Sequence, residues 1–396
     1  MQSIDIIAET SVWGGTEVNT AAVAHALAAR GRQVRLIQLG HELYDRHGVG
    51  ALHPALTTVR VPLPPRAAMA QLRFWHRLVA APRVDTVVLA KCVFDVRWPL
   101  LDLAMSRGGP RFVHIEQSFP PDLHAVKPRK RLGFIPGGGG PWYWRHRGTL
   151  ALHRAASDHV IAVSHAIRER LVTDYGYGVD AVTVVHNGID TNRFRPDRDA
   201  RARARSRWRI PDGAFVVGTV SRLAPIKRLE RLLAAFRLLL EGDPEHCYLV
   251  IVGDGPAEAA LRSEAERSGI GARCVWAGGS ASPWEDYPGF DCFAMTSERE
   301  GLPHTLLEAM SCECLPVAML IQGLAEVLSD GSTGRLVDQD PAALGAALQE
   351  IRAYDPARRR EIEMRARRHV LLHHEAHRQI EASCDVILGS GVGPAA

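Results

Sequence analysis

Apolar residues along this chain gather into short runs that are apolar almost throughout, separated by longer stretches with helical spacing. In the first half the runs are Ile4–Ala8, Gln33–Leu39, Thr86–Ala90, Arg111–Ile115, Ser157–Val163 and Ala181–Val185. Runs this short, apolar at successive positions, predict strands buried on both faces, as in parallel sheets. Helix-like stretches lie between them: the Ala-rich Glu17–Ala29 closed by Gly31, then Trp98–Ser106 and His165–Tyr175. The second half repeats the pattern. Strands are expected at Phe215–Val220, Tyr248–Val252, Arg273–Ala277 and Phe290–Met295, and helices at Thr305–Ser311, Pro341–Ile351, Ala357–Leu372 and Ala376–Leu388. Strand, loop, helix, strand is a βαβ unit, and its repetition predicts an α/β protein with parallel sheets. Ligands on such sheets sit beyond the carboxyl ends of the strands, so candidate chemistry is sought in the loops there.

Composition narrows the class. A chain of 396 residues is long enough for two domains. With 46% hydrophobic and 23% charged residues it has the balance of a soluble globular protein, and a net charge of +4 is too mild to argue for nucleic acid. Seven cysteines without a paired spacing fit reduced thiols and a cytoplasmic setting. Met1 leads straight into a strand, so no signal peptide is expected, and no apolar run approaches the roughly 20 residues of a spanning helix. No metal is expected either. Cys312 and Cys314 lack Cys/His partners at zinc spacing, and His374-Glu-Ala-His377 is one residue short of H-E-x-x-H, although His373 and His377 would lie one helical turn apart.

Four loops hold the candidate residues. After the Phe290–Met295 strand, Glu300-Gly301-Leu302-Pro303 leads into a helix carrying Glu308. Gly301 can take backbone angles closed to other residues, Pro303 suits a first helical turn, and the open N–H groups of that turn suit an anion. Carboxylates on either side accept hydrogen bonds from hydroxyls, so the turn fits a sugar nucleotide. After Phe215–Val220 come Arg222 and Lys227; a planar fork and a compact point charge together suit a diphosphate. After Ile4–Ala8 comes a loop with Gly14 and Gly15, which is not G-x-G-x-x-G and so speaks against a dinucleotide. His114 stands at the end of the Arg111–Ile115 strand, followed by Glu116 and Gln117. Asn187-Gly188 reads as a tight turn, Arg195–Arg209 as a charged helix or linker with a solvated face, and Trp276 as a core residue or a platform for a base.

These segments resemble one family. The E-x7-E spacing of Glu300 and Glu308, within Glu-Gly-Leu-Pro…Leu-Leu-Glu-Ala-Met, is similar to that of retaining glycosyltransferases of family 4, also called group 1. The Gly14-Gly15-Thr-Glu loop, the Arg222-x4-Lys227 pair and the Asn187-Gly-Ile-Asp…Phe194 segment follow the same family in the same order. The resemblance implies the GT-B fold: two Rossmann-like domains facing across a cleft, with a C-terminal helix crossing back to the N-terminal domain. Residues 1–195 would bind the acceptor, 196–374 the nucleotide sugar, and 375–396 would pack back on the first domain, with a hinge in Arg195–Arg209. By the same resemblance Glu300 holds the donor sugar and Glu308 the ribose, while Arg222 and Lys227 neutralise the departing diphosphate. Gly14, Gly15, Gly301, Leu302 and Pro303 border the donor phosphates, and His114 touches the sugar near the reaction centre. The donor, expected to be UDP-linked, is a substrate, and no cofactor is implied. The chain departs from the family at Glu313, where a glycine is usual; a left-handed residue there would cost about 1 kcal/mol.

The acceptor stays open among a saccharide, a lipid-linked saccharide and a small molecule. In residues 118–147, Lys127, Arg129, Lys130 and Arg131 precede a Gly137–Gly140 run and Pro141-Trp-Tyr-Trp-Arg-His-Arg147. This mixture fits a mobile loop over the acceptor, with weak peripheral contact to the inner membrane face as the other reading, and tips the acceptor towards the cell envelope. A natural-product glycosyltransferase, a GT-B sugar-nucleotide epimerase and a catalytically silent nucleotide-binding partner remain alternatives.

Overall fold

The structure, a computed structural model, describes residues 2–8, 14–62, 68–80, 84–90, 109–120, 150–242 and 245–390. The expected Trp98–Ser106 helix and the basic, aromatic part of the 118–147 loop lie outside these residues.

Two compact units emerge, Met1–His186 with Gln379–Ala396, and Asn187–Arg378. In the first, β1 (Ser3–Ala8), β2 (Gln33–Leu39), β3 (Leu56–Val61), β4 (Thr86–Ala90), β5 (Arg111–Glu116), β6 (His159–Ala162) and β7 (Val182–Val184) make one sheet in the order β3-β2-β1-β4-β5-β6-β7. Every pairing is parallel. Both faces of the sheet are buried. Ile4 and Ile6 face a core shared with Ala24 and Leu27 of α1 (Gly15–Ala29), whereas Ile7 packs with Trp75 on the other side. Among the described residues the further helices of this unit are α2 (Leu43–Arg46), α3 (Ala68–Ala80) and α4 (His165–Thr173).

The second unit repeats the plan. It opens with α5 (Arg198–Trp208), and β8 (Phe215–Val220), β9 (Cys247–Val252), β10 (Cys274–Gly278), β11 (Cys292–Met295), β12 (Leu315–Met319) and β13 (Arg335–Val337) form a parallel sheet ordered β10-β9-β8-β11-β12-β13. Its further helices are α6 (Leu229–Gly242), α7 (Glu258–Arg267), α8 (His304–Ser311), α9 (Pro341–Arg352) and α10 (Pro356–His373). In each sheet the chain runs outward from a central strand to one edge, then reverses to build the other side. The reversal lies between β1 and β4 in one unit and between β8 and β11 in the other, a switch point of the Rossmann kind.

Three boundaries differ from the expectation. The division falls before Asn187 rather than after residue 195, because Asn187 to Phe194 is tied into the second unit. The Asn187 side-chain amide donates to the Leu302 carbonyl (2.7 Å), the Ile189 N–H to the His374 carbonyl (2.7 Å), and the Ser311 hydroxyl to the Phe194 carbonyl (2.5 Å). The Arg195–Arg209 run is no linker: α5 packs in the second unit, and its Arg205 is only 2% exposed. Its guanidinium bonds the carbonyls of Gly289, Asp212 and Ala214 and the Asp291 carboxylate (2.6 Å). Finally, the break expected between Leu372 and Ala376 falls at buried His374 and the first helix takes in His373, so His373 and His377 sit on separate helices, α10 and α11 (Ala376–Leu388), and not one turn apart on one helix.

The C-terminal helix does return to the first unit. Cys384, Val386 and Ile387 of α11 lie in the same core as α1 and β1, and Arg111 donates to the Val386 carbonyl (2.8 Å).

Candidate functional site

The second unit gathers its candidate residues at the carboxyl ends of β8 and β11, beside the switch point. The loop after β8 is shaped by the loop after β9. Gly253 (φ +138°) and Gly255 (φ +150°) take angles closed to other residues, and a Cβ on Gly253 would lie 1.8 Å from the Ser221 carbonyl oxygen. The Leu223 N–H donates to the Asp254 carbonyl (2.7 Å) and the Ala257 N–H to the Leu223 carbonyl (2.9 Å), which fixes the segment carrying Arg222. Arg222 is exposed, with no salt-bridge partner among the described residues. Thus the G-x-G of residues 253–255, weak as a motif, is a packing requirement that presents a cation.

Lys227 ends a short turn and faces the loop after β11. Its ammonium group lies 2.5 Å from Glu300 Oε1, with the two side chains 23% and 17% exposed. The backbones are joined as well: the Glu298 N–H donates to the Ile226 carbonyl (2.9 Å), and the Thr296 hydroxyl to the Lys227 carbonyl (2.9 Å). Arg228 adds an ion pair to Glu298 (2.5 Å). Between the loops is a cavity of about 10 Å³ lined by Thr219, Ser221, Lys227, Glu300 and Thr305, room for about one water.

The turn after Glu300 differs in detail from the expectation. Gly301 is not among the positive-φ glycines, so its role is not left-handed freedom, and Pro303 (φ −73°, ψ 116°) is the residue capping α8 rather than one in its first turn. Leu302 and Pro303 are buried, and the buried Asn187 amide holds the Leu302 carbonyl from behind. The first N–H groups of α8 lack intrahelical acceptors, as at any helix start, and the helix dipole adds partial positive charge there. His304 occupies the first position of α8, and burial pushes its pKa down to about 4, so its ring is neutral at pH 7.

Glu308 lies one turn inside α8. Burial raises its carboxyl to about 7, and Tyr287 donates to its Oε2 at 2.5 Å. Past the helix, Glu313 does adopt the left-handed conformation (φ +59°) that a glycine would take without strain, and its carboxylate pairs with Arg360. Trp276 is half-buried, with the Arg262 guanidinium 4.9 Å from its ring centroid.

In the first unit, Gly14 precedes α1 in extended conformation (φ −159°) and Gly15 begins the helix. The carboxylate of Glu17 is near: a Cβ on Gly14 would sit 3.3 Å from its Oε2. His114 does not stand at a strand end. It sits inside β5, fully buried, with its ring edge-on to Phe112 (4.2 Å) and His153 (3.9 Å). Among the described residues neither ring nitrogen has a hydrogen-bond partner, and burial holds its pKa well below the usual value. The strand runs on to Glu116 and is buried at every position after Arg111, so His114 lies within it and not at its end. Glu116 is equally buried, its Oε1 accepting from the Ser118 N–H (3.2 Å). Asn187 and Tyr287 were not expected in the site. The first lies in a recognised segment read only as a turn, and the second carries no local signal at all.

Comparison with known proteins gives the family and the fold. The family model described as Glycosyltransferase Family 4 matches residues 13–193, and that described as Glycosyl transferases group 1 matches residues 200–369. The two matches together take in most of the chain, which belongs to the family 4, group 1 glycosyltransferases. Among curated proteins it is similar to a GDP-mannose-dependent alpha-(1-6)-phosphatidylinositol monomannoside mannosyltransferase of Mycolicibacterium smegmatis, with 36% identity over 222 residues, 52% of this chain and 56% of that protein. It is also similar to a D-inositol 3-phosphate glycosyltransferase of Thermomonospora curvata, with 32% identity over 222 residues, 52% of this chain and 51% of that protein. The aligned part is about half the length of these curated relatives. Among solved structures, Anabaena Alr3699/HepE in complex with UDP superimposes with a TM-score of 0.79 at 18% identity, over 99% of this chain and 100% of that one. WaaG, a glycosyltransferase involved in lipopolysaccharide biosynthesis, does so with 0.75 at 16%, over 98% and 100%. At such identities the likeness shows the fold, and that fold is GT-B. Among the described residues no helix is long and apolar enough to cross a membrane.

Proposed function

We propose that this protein is a retaining glycosyltransferase that moves a sugar from a nucleoside-diphosphate sugar, with UDP as the first candidate carrier, to a hydroxyl acceptor of the cell envelope. The observation that carries the reading is the joined pair of loops at the switch point, where Lys227 and Glu300 meet at 2.5 Å beside the start of α8. A cation, a helix start and a carboxylate suit, in turn, the diphosphate and the hydroxyls of the sugar. Glu300 orients the sugar and Glu308 accepts from the ribose.

In the reaction the bond between the anomeric carbon and the diphosphate oxygen breaks while the acceptor oxygen bonds to the same face of that carbon. The acceptor's proton passes to the departing phosphate oxygen, so configuration is kept and charges balance. Lys227, Arg222 and the first N–H groups of α8 stabilise the negative charge that develops on the leaving diphosphate, an electrostatic form of catalysis. The buried, unprotonated His114 acts from within its sheet, as a support for the residues around it and not as an acid.

The test is a thermal-shift panel with UDP, GDP, ADP and their sugar conjugates, on wild type and Glu308→Ala. A ligand at 100 times its dissociation constant stabilises by about 2.7 kcal/mol. One nucleotide should stand out and lose its effect in the variant. No shift with any of them overturns the reading. The anomeric configuration of the product, read by NMR, tests retention separately.

A further inference from the structure

Tyr287 lies in the turn between β10 and β11, 21 residues before Glu308 in sequence. It is fully buried and held on three sides by aromatic rings, Phe194, Phe290 and Phe293, each with its centroid 6.0 Å away. Its carbonyl accepts from the Cys314 thiol (2.9 Å). Ring and backbone are therefore both fixed, and the hydroxyl has one direction to point. It points at Glu308 Oε2, 2.5 Å away. A carboxylate in this apolar setting would otherwise take up a proton or rotate away from its working position.

We infer that Tyr287 is the positioning residue of the donor site: its hydroxyl occupies one oxygen of Glu308, fixes the side chain's rotamer and leaves the other oxygen to accept from the ribose hydroxyls. The inference rests on the reading of Glu308 as the ribose acceptor. A phenol is suited to the task. It donates one hydrogen bond, and burial together with the neighbouring Glu308 charge raises its own pKa far above neutrality, so it remains a donor at every working pH. The bond stabilises the ionised carboxylate against the burial that raises the Glu308 pKa to about 7. The other titratable or charged groups around Glu308 are Cys312 just past α8, Cys314 before β12, Arg367 of α10, which donates to the Ser311 carbonyl, and His304 one turn back on its own helix. The thiols and the neutral His304 do not titrate between pH 6 and 9, with both thiol pKa values raised beyond that range and that of His304 lowered below it. Glu363 of α10, raised to about 7 by burial, and the last proton of the nucleotide's own diphosphate titrate in the same range, so the part of the pH dependence that is lost in Glu308→Gln is what reports on Glu308.

The experiment measures the dissociation constants of UDP and GDP by calorimetry at pH 6, 7, 8 and 9 for wild type, Tyr287→Phe and Glu308→Gln. Wild type should weaken as pH falls below about 7. Tyr287→Phe keeps the ring and loses only the bond, so its Glu308 should titrate at higher pH. Its affinity should be about tenfold weaker at pH 7 and approach that of wild type at pH 9, a recovery that damaged packing would not give and that shows the variant is folded. Glu308→Gln should bind weakly, with only the shallower pH dependence that the diphosphate and Glu363 contribute. Tyr287→Phe matching wild type at every pH, weakened by a constant factor, or failing to recover at pH 9 overturns the positioning role, as does a wild-type affinity indifferent to pH while Glu308→Gln binds weakly. Glu308→Gln binding like wild type overturns instead the ribose role of Glu308, and this inference with it.

Discussion

Replacing Arg205 by Met tests whether the second unit depends on a charged side chain inside it. The arginine is 2% exposed and makes four hydrogen bonds from α5: to the carbonyls of Gly289 (3.1 Å), Asp212 (2.7 Å) and Ala214 (3.0 Å), and to Asp291 Oδ2 (2.6 Å). Met is close in length and apolar, so little volume is lost and the cost is that of the bonds. Asp291 is not stranded, because Arg201 (2.6 Å) and the Val216 N–H (2.7 Å) still reach it. The Gly289 and Ala214 carbonyls are left buried without their donor, at about 1–3 kcal/mol each, and the partly buried Asp212 carbonyl costs less. The sum is about 3–5 kcal/mol, the usual range for breaking a buried pair from one side. For a unit of this size each kcal/mol lowers Tm by about 2–4 °C, so the midpoint should fall by roughly 10 °C. The assay is thermal unfolding followed by tryptophan fluorescence, with Arg203→Met as the control: Arg203 is exposed on the same helix and should shift stability by no more than about 0.5 kcal/mol. Equal midpoints for the two variants would refute the reasoning.

Three further expectations follow from the site. Lys227→Met should lower kcat by about 10²–10³ by removing one of the two cations that face the diphosphate, with the unfolding midpoint little changed; steady-state kinetics with a donor sugar decides it, and near-normal turnover would remove Lys227 from the mechanism. Gly253→Ala places a Cβ 1.8 Å from the Ser221 carbonyl oxygen at a φ of +138°, so the loop carrying Arg222 must move; nucleotide affinity and thermal midpoint should both drop, and retention of both would contradict the crowding. His304→Gln tests a sign. With its pKa lowered to about 4 from the ordinary 6.5, the folded protein binds fewer protons there than the unfolded chain between those values. The His304 contribution is thus present above pH 6.5 and lost as pH falls towards 4. In urea unfolding at pH 4.5, 5.5 and 7 the stability of wild type relative to the variant should rise with pH, and a flat difference would show the ring to be solvated.

The parts of the fold that rest on local pattern were legible. Gln33–Leu39, Thr86–Ala90, Phe215–Val220 and Ala376–Leu388 are elements at the residues their patterns predicted. Three strands escaped for physical reasons, the last of them, β13, being an edge strand only three residues long. β3 is an edge strand whose Thr57, Thr58 and Arg60 break the apolar run, and β12 contains Pro316, which speaks against a central strand by removing a ladder donor. Charge misled in α5, where a run of arginines hides one that is buried because its partner, Asp291, is 86 residues away. The Glu300 and Lys227 contact follows from two loops at neighbouring strand ends, a placement topology predicts. Tyr287 meeting Glu308 follows from packing alone, which no spacing announces.

The path of the chain has a consequence for its synthesis. The first sheet is complete at Val184, yet α11, which covers part of its core, begins only at Ala376. The whole second unit is translated in between. At roughly 5–20 residues per second, that interval is on the order of 10–40 s on the ribosome. Throughout it the places of Cys384, Val386 and Ile387 against Ala24 and Leu27 stand open. The nascent protein thus carries an unfinished apolar face while its second unit folds, and a chaperone that shields that face should raise the yield of the full-length protein more than that of the second unit made alone.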